Sequence, residues 1–311
     1  MTNRDDILRM FRPCSAWLAE SGHLRAALDA ARLRFSAGAP VVAEKQGDVS
    51  ALAPRIVERA SKAGVAPVRV AVVPVSGLLT KDESYWFGGT GTVRLREDLM
   101  RIGADKSIDA ILLVVDSPGG QVAGTKELAD AVRSIDKIKP VYAYIEDLGA
   151  SAAYWVASHA RAVWCNELAE VGSIGCVAVV YDDSKYYTDL GVVAHVIGSG
   201  EMKGAFTVGA PITEEMLADL QARVDEFAGV FIDSVASARR MKRAAVESVA
   251  DGRVYSATVA QKAGLVDEIM PSVGRALELI SGEIAAVQTR KRASAVVSRF
   301  EALCRDTGLT A

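Results

Sequence analysis

The stretch EDLGASAAYWVASHA, Glu146 to Ala160, sets a polar residue, Ser151, among Gly149, Ala150, Ala152 and Ala153 where a turn reads into a helix. Two chemistries compete for that hydroxyl. A serine at the first turn of a helix is a favoured cap, worth about 1 kcal/mol. A serine hemmed by residues without bulk also lets a substrate backbone approach its Oγ, and Gly149-x-Ser151-x-Ala153 is similar to a G-x-S-x-G nucleophile turn with the last glycine replaced.

A nucleophilic hydroxyl needs a base to take its proton. The chain has three histidines. His23 belongs to the N-terminal region, outside the segment that reads as catalytic. His159 is on the same helix as Ser151, about 12 Å along its axis, out of hydrogen-bond reach. His195 falls in the apolar run VVAHVIG, where a buried structural histidine is expected. A lysine replaces histidine when burial or nearby positive charge leaves it neutral near pH 7. Lys203, in GSGEMKGAFTVGAPIT between Gly200 and Gly204, is the candidate; the plainer alternative is a solvated loop lysine.

Acyl transfer also needs N–H donors aimed at the developing oxyanion, each worth about 3–4 kcal/mol. DSPGG, Asp116 to Gly120, supplies a turn fixed by Pro118 and two residues without Cβ, Gly119 and Gly120. The Gly120 N–H with the Ala152 N–H could form such a hole; a tight strand-to-helix connection is the alternative.

These residues need a scaffold. VRVAVVPVSGLL, from Val68 to Leu79, reads as a buried strand, and after it strand-like and helix-like segments alternate. Helices are expected near Val93–Ile102, Thr125–Ile135, Ser151–His159, Ser184–Leu190 and Thr213–Met241. Strands are expected at Ala110–Val115, Val141–Ile145, Ala162–Cys165, Val177–Tyr181 and Val192–Ile197. This alternation predicts an α/β domain with a parallel sheet and helices outside, over residues 67–272. Ligands of such sheets bind at the carboxyl ends of strands, where DSPGG and EDLGAS both fall. Residues 1–66 read as an N-terminal helical extension, with apolar spacing over 5–36 and a second helical patch at ALAPRIVERASKAG, and residues 273–311 as a C-terminal helical tail.

The 311 residues, half of them hydrophobic, suffice for one substantial core, and the net charge of −3 gives no reason to bind nucleic acid. The basic runs Arg239–Arg243 and Arg290–Arg292 read as solvated helix faces. Cys14, Cys165, Cys176 and Cys304 form no CxxC pair, so neither a zinc site nor a disulfide framework is expected, and no other cofactor is implied. No run of 18 apolar residues predicts a membrane span, and the N-terminus does not read as a secretory signal. A reducing, cytoplasmic setting is expected.

VVPVSGLL, IDAILLVVDSPGGQVAG, KPVYAYIEDLGASAAYWVASHA, VGSIGCVAV, GSGEMKGAF and DGRVYSATVAQKAGLVDEI, taken in order, resemble the signal peptide peptidase A-like serine peptidases, and among them the soluble phage head-maturation branch. The resemblance covers Val68 to Ile269. It implies a ClpP/crotonase-like fold of repeated β-β-α units and a Ser/Lys dyad, with Ser151 as nucleophile and Lys203 as general base. It further implies that Ser173, in Gly172-Ser173-Ile174-Gly175, orients the lysine, and that Gly119 and Gly120 lie on the oxyanion side. Where many relatives carry Gly-Gly after the nucleophile, this chain has Ala152-Ala153. The expected partners are a protein or peptide substrate, with capsid or scaffold protein as the candidate inside a phage procapsid, and further copies of the chain in a homo-oligomer. A cytoplasmic peptidase that degrades signal peptides, a crotonase-type acyl-CoA enzyme and an inactive assembly subunit of the same fold are the alternatives.

Overall fold

A computed structural model describes residues 17–19, 53–59, 67–82 and 89–307. The strands are β1 (Trp17–Ala19), β2 (Arg55–Arg59), β3 (Val68–Ser76), β4 (Leu78–Thr80), β5 (Gly89–Gly91), β6 (Ala110–Ser117), β7 (Gly119–Gln121), β8 (Val141–Ala150), β9 (Ala162–Cys165), β10 (Glu170–Gly172), β11 (Val254–Ser256) and β12 (Glu268–Ile269). The helices are α1 (Thr92–Ala104), α2 (Thr125–Asp136), α3 (Ala152–Ser158), α4 (Ser184–Asp189), α5 (Glu214–Arg239), α6 (Arg243–Glu247), α7 (Ala257–Lys262) and α8 (Val273–Thr307).

The larger sheet runs β11-β10-β8-β6-β3-β2, with β9 and β12 joined beside β8, and its centre is parallel. Side chains alternate across it with the period of two that a pleated strand imposes. Ala71, Val73 and Val75 of β3, Ile111, Leu113 and Val115 of β6, and Ala143 and Ile145 of β8 enter one core with the helices α1, α2 and α3. Val70 and Val72, Leu112 and Val114, and Tyr142 and Tyr144 enter a second core on the opposite face. Both faces are buried, which is why these strands read as unbroken apolar runs.

The second face is covered by the start of α8, through Ala276, Leu277, Ile280 and Ile284. Those turns therefore complete the sheet's core instead of standing apart as a tail. A clamp holds α5 to the sheet from the other side. Arg239, its side chain 7% exposed, reaches Asp267 through two hydrogen bonds of 2.7 and 2.8 Å and the Gly264 carbonyl at 3.1 Å. Asp267 also accepts from the Val163 amide at 2.7 Å. Arg239→Ala is expected to cost about 1–2 kcal/mol, because it removes the paired hydrogen bonds to Asp267 and the packing of a buried side chain, and chemical denaturation measures it.

Three expectations are corrected. The helical patch at ALAPRIVERASKAG contains the strand β2, which pairs antiparallel with β3 because the edge of the sheet needs a partner and Val57 packs into the second core. The helix expected over 5–36 lies outside the described residues except at 17–19, which form strand β1. Val177–Tyr181 and Val192–Ile197 are not strands. The sheet position beyond β10 is taken by antiparallel β11, so this apolar chain has no strand to join. His195 accordingly is exposed, not buried in a strand.

Candidate active site

Ser151 is the residue between β8 and α3. Its side chain makes no capping hydrogen bond, so the cap is not its role. Its backbone adopts φ 53° and ψ −120°, a conformation that costs a non-glycine residue on the order of 1–3 kcal/mol. Two backbone bonds hold it there. The Ser151 amide donates to the Gly172 carbonyl at 2.7 Å, and the Ser151 carbonyl accepts from the Trp155 amide at 2.9 Å. The sharp turn leaves the first amides of α3, Ala152 among them, without a side-chain cap.

Parallel pairing of β10 with β8 sets Gly172 beside Ala150, so the next residues, Ser173 and Ser151, follow one another off adjacent strand ends. Ser173 is 5% exposed and shares the positive φ, at 50°, with its amide donating to the Arg253 carbonyl at 2.7 Å. On the other flank, β6 pairs Ser117 with Gly149, and β7 continues from there and packs against α3.

The DSPGG turn is held by a residue the sequence reading passed over. Ser117 Oγ donates to the Gly77 carbonyl at 2.6 Å and accepts from the Gly119 amide at 3.1 Å. The Gly119 N–H is thus already engaged, which leaves Gly120 the better candidate donor. Gly119 has φ +94°, which favours glycine, and a Cβ on Gly120 would stand 1.8 Å from the Leu79 carbonyl oxygen. Gly120→Ala must therefore push β7 away from β4; a loss of about 1–3 kcal/mol is expected in chemical denaturation. Ser117 lies inside the DSPGG motif, and that position was the signal available for it.

The small residues around Ser151 serve packing. Ala150, Ala152 and Ala153 have no exposed surface. They do not line an open subsite.

Lys203 is placed apart from this cluster. It is exposed, lines a cleft of about 500 Å³ with Ala194, Val196, Phe206 and Met216, and forms no hydrogen bond with Ser151 or Ser173 among the described residues. The segment that carries it shows apolar side chains to solvent: Ile197 is 97% exposed, Val193 63% and Val208 58%.

Other groups that could act as base or nucleophile are spoken for. Lys139 is buried, and burial lowers its pKa, but its Nζ donates to the carbonyls of Ile102 and Asp105 at 2.8 and 2.5 Å. It precedes β8 whereas Ser151 follows it, so the length of the strand, roughly 30 Å, separates them. Burial pushes the thiols of Cys165 and Cys176 up to about 11, which makes them poor nucleophiles at neutral pH.

His159 closes a structural network behind Ser151. Its Nδ1 lies 2.9 Å from the Trp155 carbonyl and its Nε2 3.1 Å from Ser234 Oγ, which also accepts from Trp155 Nε1 at 2.8 Å. Trp155 stacks on Phe231 of α5 at 4.5 Å. Burial lowers the His159 pKa, so the folded state holds this ring neutral where the unfolded chain binds a proton. Stability from this residue is full above pH of about 6.5 and is lost as pH falls through the folded pKa. Thermal melts of the wild type and His159→Gln should show the wild type losing more stability on acidification.

Among the described residues no group of three or more His, Cys, Asp or Glu side chains could hold a metal ion, and no helix is long and apolar enough to cross a membrane. Comparison with known proteins bears on the same residues. Residues 133–277, which include Ser151, Ser173 and Lys203, match the model of Peptidase family S49. A protein of Methanocaldococcus jannaschii whose protease name is provisional is 36% identical over 192 residues, 61% of this chain and 58% of that one. The capsid assembly protease C of Escherichia phage lambda is 32% identical over 208 residues, 65% of this chain and 47% of that protein. The head-tail preconnector protein of Enterobacteria phage P21 is 29% identical over 204 residues, 65% and 40% of the two chains. The chain thus spans about half the length of the curated relatives it matches.

Proposed function

We propose, for a chain that carries a peptidase family S49 domain of ClpP/crotonase-like fold, that it is a serine endopeptidase with Ser151 as nucleophile and Lys203 as general base. The observation that carries the reading is the Ser151 turn: a buried serine in a strained conformation, its hydroxyl unused as a cap, between a strand end and a helix start.

In the proposed reaction, the neutral Lys203 amine takes the Ser151 proton, and Oγ attacks the scissile carbonyl. The oxyanion meets the N–H groups of Gly120 and Ala152. Collapse of the tetrahedral intermediate breaks the C–N bond, and the lysine returns the proton to the leaving amine. Water then hydrolyses the acyl-serine by the same steps. Ser173 is positioned to orient the lysine once it arrives.

Within one copy Lys203 stands in solvent, with no hydrogen bond to Ser151 among the described residues. We therefore assign the completed dyad to an assembly, in which the exposed apolar segment around Lys203 docks on a second copy and delivers the lysine to that copy's Ser151. Docking would bury Val193, Ile197 and Val208 and remove the lysine from water, which favours the neutral amine. The name of the phage lambda relative, a capsid assembly protease, supports a capsid protein as substrate. The test is turnover of an unstructured fluorogenic peptide against pH. The rate should rise as a lysine deprotonates; a flat profile between about pH 6 and 9 contradicts a lysine base whose pKa lies in or above that window.

A further inference from the structure

The smaller sheet has the order β1-β7-β4-β5. Strand β7 is the glycine strand that leads out of DSPGG beside Ser151. Its inner edge is taken by β4, where Leu79 pairs with Gly120. Among the described residues its outer edge carries β1, a strand of three residues far in sequence from everything else in the sheet. The pairing is antiparallel, Trp17 with Gln121, Leu18 with Gly120, and Ala19 with Gly119. Chain direction matters here. Running from Trp17 to Ala19, β1 advances along β7 toward the turn that lies against the nucleophile, and Leu18 stands opposite the candidate oxyanion donor Gly120.

An extended peptide that reaches a serine beside a glycine strand binds by adding itself to that strand's free edge, because the backbone N–H and C=O groups there have no other partner. We propose that Trp17–Ala19, paired on the outer edge of β7, is a tethered competitor for an extended peptide that would pair there. This rests on the peptidase reading for its biological meaning, though not for its measurement. A strand tethered to its own site acts at a high effective concentration, so a peptide in solution must displace it before it can pair. The occupant also states the substrate geometry: an antiparallel strand whose residues alternate faces, with backbone pairing for affinity and side chains for selection.

The test uses the full-length chain carrying Ser151→Ala, so that nothing is cleaved. The probe is a fluorescein-labelled peptide with the sequence of residues 15–23, SAWLAESGH, and the readout is its Kd by polarisation. The double variant Leu18→Pro/Ala19→Pro removes the β1 amide that faces β7, whichever of these two successive residues carries it, without touching β7. The expected result is that this variant binds the probe at least about fivefold more tightly than the chain with β1 intact, while Leu18→Val, which keeps the donor, does not. Equal Kd for all the chains, or no binding by any, overturns the proposal. Failure of the peptidase reading is separate: it appears as absence of turnover in the wild type, and leaves this comparison readable.

Discussion

Ser151→Ala is expected to lower peptide turnover by at least about 10⁴-fold and to leave the fold in place. The size follows from the proposed mechanism, in which the variant loses the atom that forms the covalent intermediate and only binding and the oxyanion donors remain. The intact fold follows from the geometry. The Ser151 hydroxyl caps nothing, and the turn is held by backbone bonds to the Gly172 carbonyl and from the Trp155 amide, which alanine keeps. A companion variant separates strain from chemistry. Ser151→Gly is equally inactive, but glycine adopts positive φ without the penalty that serine bears, so it melts at or above the wild-type temperature. Steady-state assays and thermal melts on the three proteins check both halves. Wild-type turnover in Ser151→Ala would remove the nucleophile assignment.

Lys203→Ala is expected to lower turnover by at least about 10³-fold, because under the proposed mechanism a serine without a base is a weak nucleophile at neutral pH. Its distinguishing consequence comes from mixing. Lys203 is exposed in its own chain, and no hydrogen bond joins it to its own Ser151 among the described residues. If a second copy supplies the base, a chain lacking Ser151 still offers its lysine, and a chain lacking Lys203 still offers its serine. Coassembly of Ser151→Ala with Lys203→Ala therefore restores turnover well above either variant alone, up to about a quarter of the wild-type rate per site for random pairing by composition. Two inactive variants that remain inactive after verified coassembly would return the dyad to a single chain. Neither substitution disturbs the core, since Lys203 contributes no buried contact and Ser151 makes no side-chain bond.

The central α/β layer was legible because its physics is local. β3, β6 and β8 are apolar on both faces, and α1, α2 and α5 run within a residue or two of their expected ends. The Ser151 turn was legible for a related reason: small residues at a strand-to-helix junction fit few other arrangements. What lay beyond the sequence reading depends on partners distant along the chain. Arg55–Arg59 is a strand because β3 has a free edge, and nothing in RIVER itself announces that edge. Residues 192–197 looked like a strand from composition, yet β11 already holds the place beside β10. The engagement of the Gly119 amide by Ser117 likewise needed coordinates. Lys203 was raised as a candidate base because no histidine was in reach and glycines flank it, and the resemblance to a family implied the same role, but its exposure within the chain was not visible there at all.

The central claim is that Ser151 is a nucleophile activated by Lys203. The most direct measurement is to treat the purified full-length protein with a fluorophosphonate, digest it, and map the adduct by mass spectrometry, in parallel with Lys203→Ala. The account predicts a stoichiometric adduct on Ser151 in the wild type and labelling slowed by at least about 10²-fold in Lys203→Ala. An adduct on another serine, no adduct on Ser151, or equal rates in the two proteins would contradict it.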